Sequence, residues 1–142
     1  GAPEVMATLS TDPPLAHVTT FGGHPVCCAA GLASLRVILE EDLPARAERV
    51  GARIRGELRR LGEQYGGVRE VRGLGMLIGL ELESAERTRA FAERAFAEGV
   101  ILGWTLHSNT VIRLAPPLNI SEEELDRGLA ALETAMRATQ GT

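Results

Sequence analysis

Residues 68–82 read VREVRGLGMLIGLEL, and this stretch decides the fold class. It holds two runs rich in valine, isoleucine and leucine, Val68–Arg72 and Met76–Leu82. Gly73-Leu74-Gly75 separates the runs, and glycines in such a position are typical of a turn between strands. The stretch therefore predicts two consecutive strands of a small sheet.

A long helix is predicted immediately before these strands. Its apolar residues recur at spacings of 4, 3, 4, 4 and 3, and they are Leu43, Ala47, Val50, Ile54, Leu58 and Leu61. Arginine and glutamate fill the positions between them, so one face is apolar and the other is charged. Gly66-Gly67 is expected to end the helix.

The segment after residue 82 predicts further helices and strands in alternation. A helix is expected over Arg87–Glu98, and strands over Val100–Gly103 and Thr110–Ala115. Ser121 and Glu124 have the spacing of a capping box, which predicts the start of the last helix. Residues 43–142 are thus expected to form an α+β unit with two layers, in which helices cover a small mixed or antiparallel sheet.

Residues 1–42 predict a different kind of structure, without strands. Three prolines fall within the first 14 residues, and most of residues 1–19 are expected to be irregular. Val26–Glu41 is rich in alanine and leucine, as expected of a helix buried on more than one side. The adjacent Cys27 and Cys28 are interpreted as small buried residues of that helix.

Composition excludes several classes of function. The chain has 142 residues and a formal net charge of −4, and no segment concentrates positive charge. Nucleic acid and anionic membrane are therefore poor candidates for partners. All 15 basic residues are arginine, so a reaction through a lysine amine cannot use a residue of this chain. Neither a signal peptide nor a long apolar run is present, and a reducing cytoplasm is the expected compartment.

The first candidate site is the turn Thr19-Thr20-Phe21-Gly22-Gly23-His24-Pro25. Two hydroxyls, glycine amides that allow close approach, and the start of a helix together suit a phosphate group. The alternative is a loop in which a hydroxyl simply caps the helix. The residues alone leave both interpretations open.

Two further positions are candidates for binding or catalysis. Arg113 lies within the apolar strand Thr110–Ala115, and its planar guanidinium suits a carboxylate partner. The alternative for Arg113 is an edge-strand arginine whose head reaches water. His107 lies in a loop between two strands, where an exposed histidine without catalytic function is the common case.

These motifs, in this order, resemble the C-terminal part of class III aminotransferases, which depend on pyridoxal phosphate (PLP). The turn from Thr19 to Pro25, the stretch from Val71 to Gly79 and the stretch from Val111 to Leu118 each resemble a family motif. The resemblance implies the small C-terminal domain of the fold-type I aminotransferase fold over residues 43–142. It implies that residues 1–42 are a remnant of the large, cofactor-binding domain.

The resemblance also implies roles for individual residues. Thr20, helped by Thr19, would bind the PLP phosphate across the interface of a homodimer, and Arg113 would hold the α-carboxylate of the substrate. Arg72 matches a family position but is expected to form a surface or inter-domain ion pair. His24 stands where many members have asparagine, which weakens an assignment to the acetylornithine or ornithine branch rather than to the diamine or ω-amino-acid branches.

The family lysine that holds PLP covalently precedes the turn from Thr19 to Pro25, and residues 1–18 contain no lysine. We therefore expect a fragment of a longer transaminase that is inactive alone; the absence of an initiator methionine at Gly1 fits that expectation. The parent would transfer an amino group from an ω-amino acid or a diamine to a 2-oxo acid. Two alternatives stay open: a stand-alone α/β interaction module, and a fragment of an aminomutase or decarboxylase with the same fold.

Overall fold

The computed structural model describes residues 2–9, 19–104 and 108–141, so His107 lies outside the described residues. The chain divides into two compact units, Gly1–Glu41 and Asp42–Thr142. The helices are α1 (Pro3–Ala7), α2 (Pro25–Glu40), α3 (Leu43–Tyr65), α4 (Ala85–Ala97) and α5 (Glu122–Ala138). The strands are β1 (Val68–Leu74), β2 (Leu77–Leu82), β3 (Gly103–Trp104) and β4 (Val111–Leu114).

The four strands form one antiparallel sheet with the order β1-β2-β4-β3. Gly73, near the end of β1, and Gly75, in the turn between β1 and β2, have positive φ angles of 141° and 53°, which a side chain would disfavour. Because β4 pairs with strands on both sides, it is an interior strand. The sequence left open a mixed or an antiparallel sheet, and the observed sheet is antiparallel.

One face of the sheet carries the core of the second unit. Ile78, Leu80 and Leu82 alternate toward this face of β2, and Ile112 and Leu114 do the same on β4. Helices α3, α4 and α5 cover the same face. The buried hydrophobic residues of the cluster are Val50, Ile54, Leu58, Leu61, Val71, Met76, Ile78, Leu80, Leu82, Phe91, Ala95, Ile112, Leu114, Leu125, Leu132, Ala135 and Met136.

The helix patterns read from the second unit are confirmed by burial and capping. The predicted apolar stripe of α3 is buried from Leu43 to Leu61, with Ala47 partly buried beside it. At the start of α5, the Ser121 hydroxyl accepts a hydrogen bond from the Glu124 amide at 3.2 Å, and a Glu124 carboxylate oxygen accepts one from the Ser121 amide at 3.1 Å. The Ser121 hydroxyl also donates to the Glu124 carboxylate at 2.8 Å, and this hydrogen bond, followed by the one from the Ser121 amide, lowers the pKa of Glu124.

Some boundaries in the second unit differ from the prediction. Val100–Leu102 is not part of a strand, because the Val100 amide donates to the carbonyl of Ala95 at 2.9 Å and so closes the end of α4. Met76 belongs to the turn between β1 and β2 instead of starting the second strand, and its side chain is nevertheless buried.

The first unit corrects two expectations. Residues 3–7 form helix α1, whose start is favoured by Pro3 in the first turn and Glu4 near the helix N-terminus. The expectation that most of residues 1–19 are irregular stays a prediction, because residues 10–18 lie outside the described residues. Helix α2 has no buried residue, although a helix buried on more than one side was expected. Cys27 and Cys28 are likewise exposed, and both are free thiols. A helix that is apolar on all sides is typical of one covered by neighbouring protein, and none of its residues is buried within the described part of the chain.

No helix in the described part of the chain has the length and apolar character needed to cross a membrane.

Candidate functional site

The turn from Thr19 to Pro25 is compact. The His24 amide donates to the carbonyl of Phe21 at 3.0 Å, which closes the turn. A Cβ atom at Gly22 would overlap the hydroxyl oxygen of Thr19, so a side chain at this position would force the exposed Thr19 side chain to move. The Gly23 position opens onto free space. Gly22 thus lets the Thr19 hydroxyl lie against the backbone of the turn.

His24 supplies the cap of the helix that follows this turn. Its Nδ1 atom accepts a hydrogen bond from the Val26 amide at 3.3 Å, and Pro25 occupies the first helical position. Among the described residues, the hydroxyls of Thr19 and Thr20 have no hydrogen-bond partner, and both residues are exposed. The cap therefore comes from the histidine, and both hydroxyls stay available to a ligand. Sequence reasoning missed the capping role of His24.

Arg113 lies at the centre of a row of residues on the solvent-facing side of the sheet. Gly79 of β2 is its cross-strand neighbour on one side, and Gly103 of β3 is its neighbour on the other. A Cβ at Gly103 would lie 3.3 Å from Nη2 and 3.4 Å from Nε of Arg113, so the guanidinium extends over this glycine. The expected alternative of an edge-strand arginine is wrong in one respect, because β4 is interior, although the side chain is exposed.

The guanidinium of Arg113 has no partner in the described part of the chain, with no hydrogen bond and no ion pair there. An exposed arginine on a rigid interior strand, with glycine on both flanks, can present its planar fork to a carboxylate. The arrangement can thus bind and orient an anion, but it contains no group that would transfer a proton.

Arg72 occupies the same row, on the far side of Gly79. Its Nη1 atom lies 2.6 Å from Glu70 Oε2 and 2.7 Å from Glu81 Oε2. Hydrogen bonding to Glu81, followed by that to Glu70, raises the pKa of Arg72 above its ordinary value. Arg72 therefore forms the surface ion pair expected from the sequence.

The second unit also contains an open groove of about 870 Å³, which sequence reasoning did not anticipate. It lies between the segment that follows β4 and helix α5. Apolar side chains dominate its lining, among them Leu102, Leu114, Ile120 and Leu129, with Glu98 and Arg127 at its polar positions. Since Arg113 does not line this groove, the groove and the arginine row are separate features.

The candidate residues fall in different units. Thr19 and Thr20 belong to the first unit and Arg113 belongs to the second, so each site is described by itself. Among the described residues, no group of three histidine, cysteine, aspartate or glutamate side chains is placed to hold a metal ion. Each site thus presents groups that are able to bind an anion: hydroxyls in the first unit and a guanidinium in the second.

Comparison with known proteins gives a consistent result. A family profile described as Aminotransferase class-III matches residues 1–136. The chain is similar to an ornithine aminotransferase from Toxoplasma gondii, whose structure has partial occupancy of PLP at the active site. The two sequences are 33% identical, and the TM-score is 0.81. The match covers 96% of this chain and 32% of that one.

Two more solved structures extend this comparison. For an acetylornithine aminotransferase from Elizabethkingia anophelis, the identity is 33% and the TM-score 0.75, over 84% of this chain and 32% of that one. For a phospholyase from Arthrobacter in complex with phosphoethanolamine, the identity is 30% and the TM-score 0.80, over 94% of this chain and 33% of that one. The chain spans about a third of the length of these structures.

Proposed function

The chain belongs to the class III aminotransferase family, and we propose that it is the C-terminal part of a PLP-dependent transaminase. In this proposal, residues 43–142 are the small domain, and residues 1–42 belong to the large, cofactor-binding domain. The family match over residues 1–136 and the coverage of about a third of the related structures support the proposal. Family membership also favours an enzyme over a stand-alone interaction module.

The single observation that carries the functional proposal is the unpaired guanidinium of Arg113. It sits on an interior strand, extends over Gly103 and has no carboxylate partner within the described residues. We assign it the α-carboxylate of the amino-acid or 2-oxo-acid substrate, which a guanidinium binds through two parallel hydrogen bonds. The interior strand fixes the position of the Arg113 backbone, so the guanidinium stays within reach of one place above the sheet.

The turn from Thr19 to Pro25 fits one end of the cofactor. The hydroxyls of Thr19 and Thr20, which have no partner among the described residues, would donate to the phosphate of PLP, and the absence of a side chain at Gly23 would let that phosphate approach the backbone. When bound, PLP supplies the electron sink that amino transfer requires. The residues of this chain would anchor the phosphate at one end and hold the substrate carboxylate at the other.

We further propose that this chain alone does not transfer amino groups. It contains no lysine, so the amine that would hold PLP covalently and move the substrate proton must come from outside these 142 residues. Thr20 would serve an active site formed by two copies of the protein, in keeping with a homodimer. The exposed apolar side chains of α2, among them Leu32 and Leu39, support a helix that is covered in such an assembly.

The relatives support the proposed substrate class. An ω-amino acid or a diamine would be the donor and a 2-oxo acid the acceptor. Ornithine and acetylornithine are candidate donors because two related structures are an ornithine and an acetylornithine aminotransferase. We place the protein in the cytoplasm, since its two exposed cysteines are free thiols.

A lyase is the second candidate, and the Arthrobacter phospholyase favours it. At 30% identity over 94% of this chain, that enzyme shows that the same fold is used for a reaction other than transamination. The decarboxylase alternative is also a lyase, whereas the aminomutase alternative is an isomerase; neither consumes a 2-oxo acid. A lyase would release its product without consuming a 2-oxo acid, and this requirement separates it from a transaminase.

The test is an assay of the longer protein that carries this chain, loaded with PLP. Ornithine, acetylornithine, 4-aminobutyrate and putrescine would be offered in turn with 2-oxoglutarate, and glutamate formation measured. We expect glutamate with at least one donor, and none from the 142-residue chain under the same conditions. Turnover by the 142-residue chain, or product formation that does not depend on the 2-oxo acid, would contradict the proposal.

A further inference from the structure

The solvent-facing side of the sheet carries a row of two arginines separated by glycine. In register across the strands, the row is Arg72, Gly79, Arg113 and Gly103. Both arginines are exposed, yet they differ in one respect. Arg72 has two carboxylate partners, whereas Arg113 has no partner among the described residues.

The carboxylates of the strands explain this difference. The four strands contain two of them, Glu70 on β1 and Glu81 on β2. These residues are directly paired in the sheet, next to the arginine row and on the same face. The same nitrogen, Nη1 of Arg72, bonds both of them. Arg72 therefore forms an ion pair with each of the two carboxylates that the strands carry on this face.

Glu81 is also within reach of Arg113. Gly79 pairs with Arg113, and Glu81 is two residues further along β2, which makes Glu81 a diagonal neighbour of Arg113. Diagonal neighbours on one face of an antiparallel pair are separated by about 7–8 Å, a gap that long side chains can bridge. An unrestrained Glu81 could therefore turn either to Arg72 or to Arg113.

We propose that Arg72 is a positioning residue that holds Glu81 away from Arg113 and so keeps the Arg113 guanidinium open for a carboxylate ligand. Glu70 strengthens this arrangement, because its carboxylate holds the Arg72 guanidinium on the β1 side of the row. If Arg72 loses its charge, Glu81 turns to Arg113 and competes with the ligand. The consequence for substrate binding rests on the proposed function, whereas the pairing of Glu81 does not.

The pairing is tested first in the 142-residue chain by NMR, from the Arg113 Nε–H resonance and its exchange with water. We expect exchange in Arg72→Met to slow by about two- to fivefold, the size of effect that an exposed ion pair carries. The double variant Arg72→Met/Glu81→Gln should return to the wild-type value. Arg72→Lys, which keeps the charge, should stay close to wild type.

A matched control separates pairing from a general charge effect. Arg72→Met/Glu70→Gln has the same net charge as Arg72→Met/Glu81→Gln, but it removes the carboxylate that lies one strand further from Arg113. It should therefore behave like Arg72→Met. An unchanged Arg113 resonance in Arg72→Met, or equal recovery in the two double variants, would overturn the inference.

Kinetics of the longer, PLP-loaded protein then test the consequence. Arg72→Met should raise KM for the 2-oxo acid about two- to fivefold with kcat unchanged, and only the Glu81→Gln double variant should restore it. If the NMR result holds and KM does not move, the carboxylate role proposed for Arg113 fails while the pairing stands. If the resonance does not respond, the inference fails whatever KM does.

Discussion

Helices α2 and α3 begin alike and end up in different environments. Both have proline in their first turn, and both contain enough apolar residues to form a core. The apolar residues of α3 recur on one face and are buried, whereas α2 has no buried residue. Arg36 and Glu40 are the only charged residues of α2, so no polar face distinguishes its sides. The comparison teaches that a periodic apolar face predicts which side of a helix packs on the core of its own unit, whereas apolar content without a polar face does not identify the surface that covers the helix.

The same difference separates the two candidate anion sites. Thr19 and Thr20 lie in a turn of the unit whose helices α1 and α2 have no buried residues. Arg113 lies on an interior strand, between the buried residues Ile112 and Leu114. The position of Arg113 is therefore supported by a packed core beneath it, and the stability of that core and the carboxylate site are linked.

The largest expected effect comes from truncating the same residue type in each helix. Leu58→Ala removes a fully buried side chain of α3 and should lower the free energy of unfolding of residues 42–142 by about 2–5 kcal/mol. Leu35→Ala in α2 removes a side chain that is 51% exposed and should change it by less than about 0.5 kcal/mol. Urea unfolding of the 142-residue chain measures both. Equal losses would show that α2 takes part in the same cooperative core.

A smaller effect is expected from a pair of helical glycines. A Cβ at Gly51 of α3 would overlap the carbonyl oxygen of Gly75, whereas a Cβ at Gly31 of α2 would meet nothing within 4 Å. Gly51→Ala should destabilise residues 42–142 by about 1–3 kcal/mol, as overpacking does. Gly31→Ala should leave that unfolding transition in place and increase helix content, since alanine favours a helix more than glycine does.

Thermal unfolding and far-ultraviolet circular dichroism distinguish these two results. A stable Gly51→Ala variant would mean that α3 does not approach the turn between β1 and β2 as closely as the structure shows. A loss of stability in Gly31→Ala would mean that α2 packs against another surface.

The sequence predicted the second unit more completely than the first. The stripe of α3 and the capping box at Ser121 are patterns in which local chemistry and burial favour the same structure, and both were confirmed. The exposure of Cys27 and Cys28 could not be predicted, because it depends on what surrounds a helix and not on the helix itself. The interior place of β4 was missed for a related reason, since strand order depends on long-range pairing.

The candidate sites show the same limit. Residue types alone identified the hydroxyls of the turn and the guanidinium of Arg113 as candidates for anion binding. The partners of Arg72 were not predicted, because the ion pair with Glu81 joins neighbouring strands and depends on their register. Nor did the sequence indicate that glycines flank Arg113 on both sides.

The central claim is that the turn holds the cofactor phosphate and that Arg113 holds the substrate carboxylate. The most direct measurement compares Thr20→Val and Arg113→Met in the longer, PLP-loaded protein, with Thr20→Ser and Arg113→Lys as matched controls. We expect Arg113→Met to raise KM for the 2-oxo acid about 10- to 150-fold without changing the Kd of PLP. We expect Thr20→Val to weaken PLP binding about tenfold without changing KM at saturating PLP. A wild-type KM in Arg113→Met, or equal shifts of both quantities in the two variants, would contradict the account.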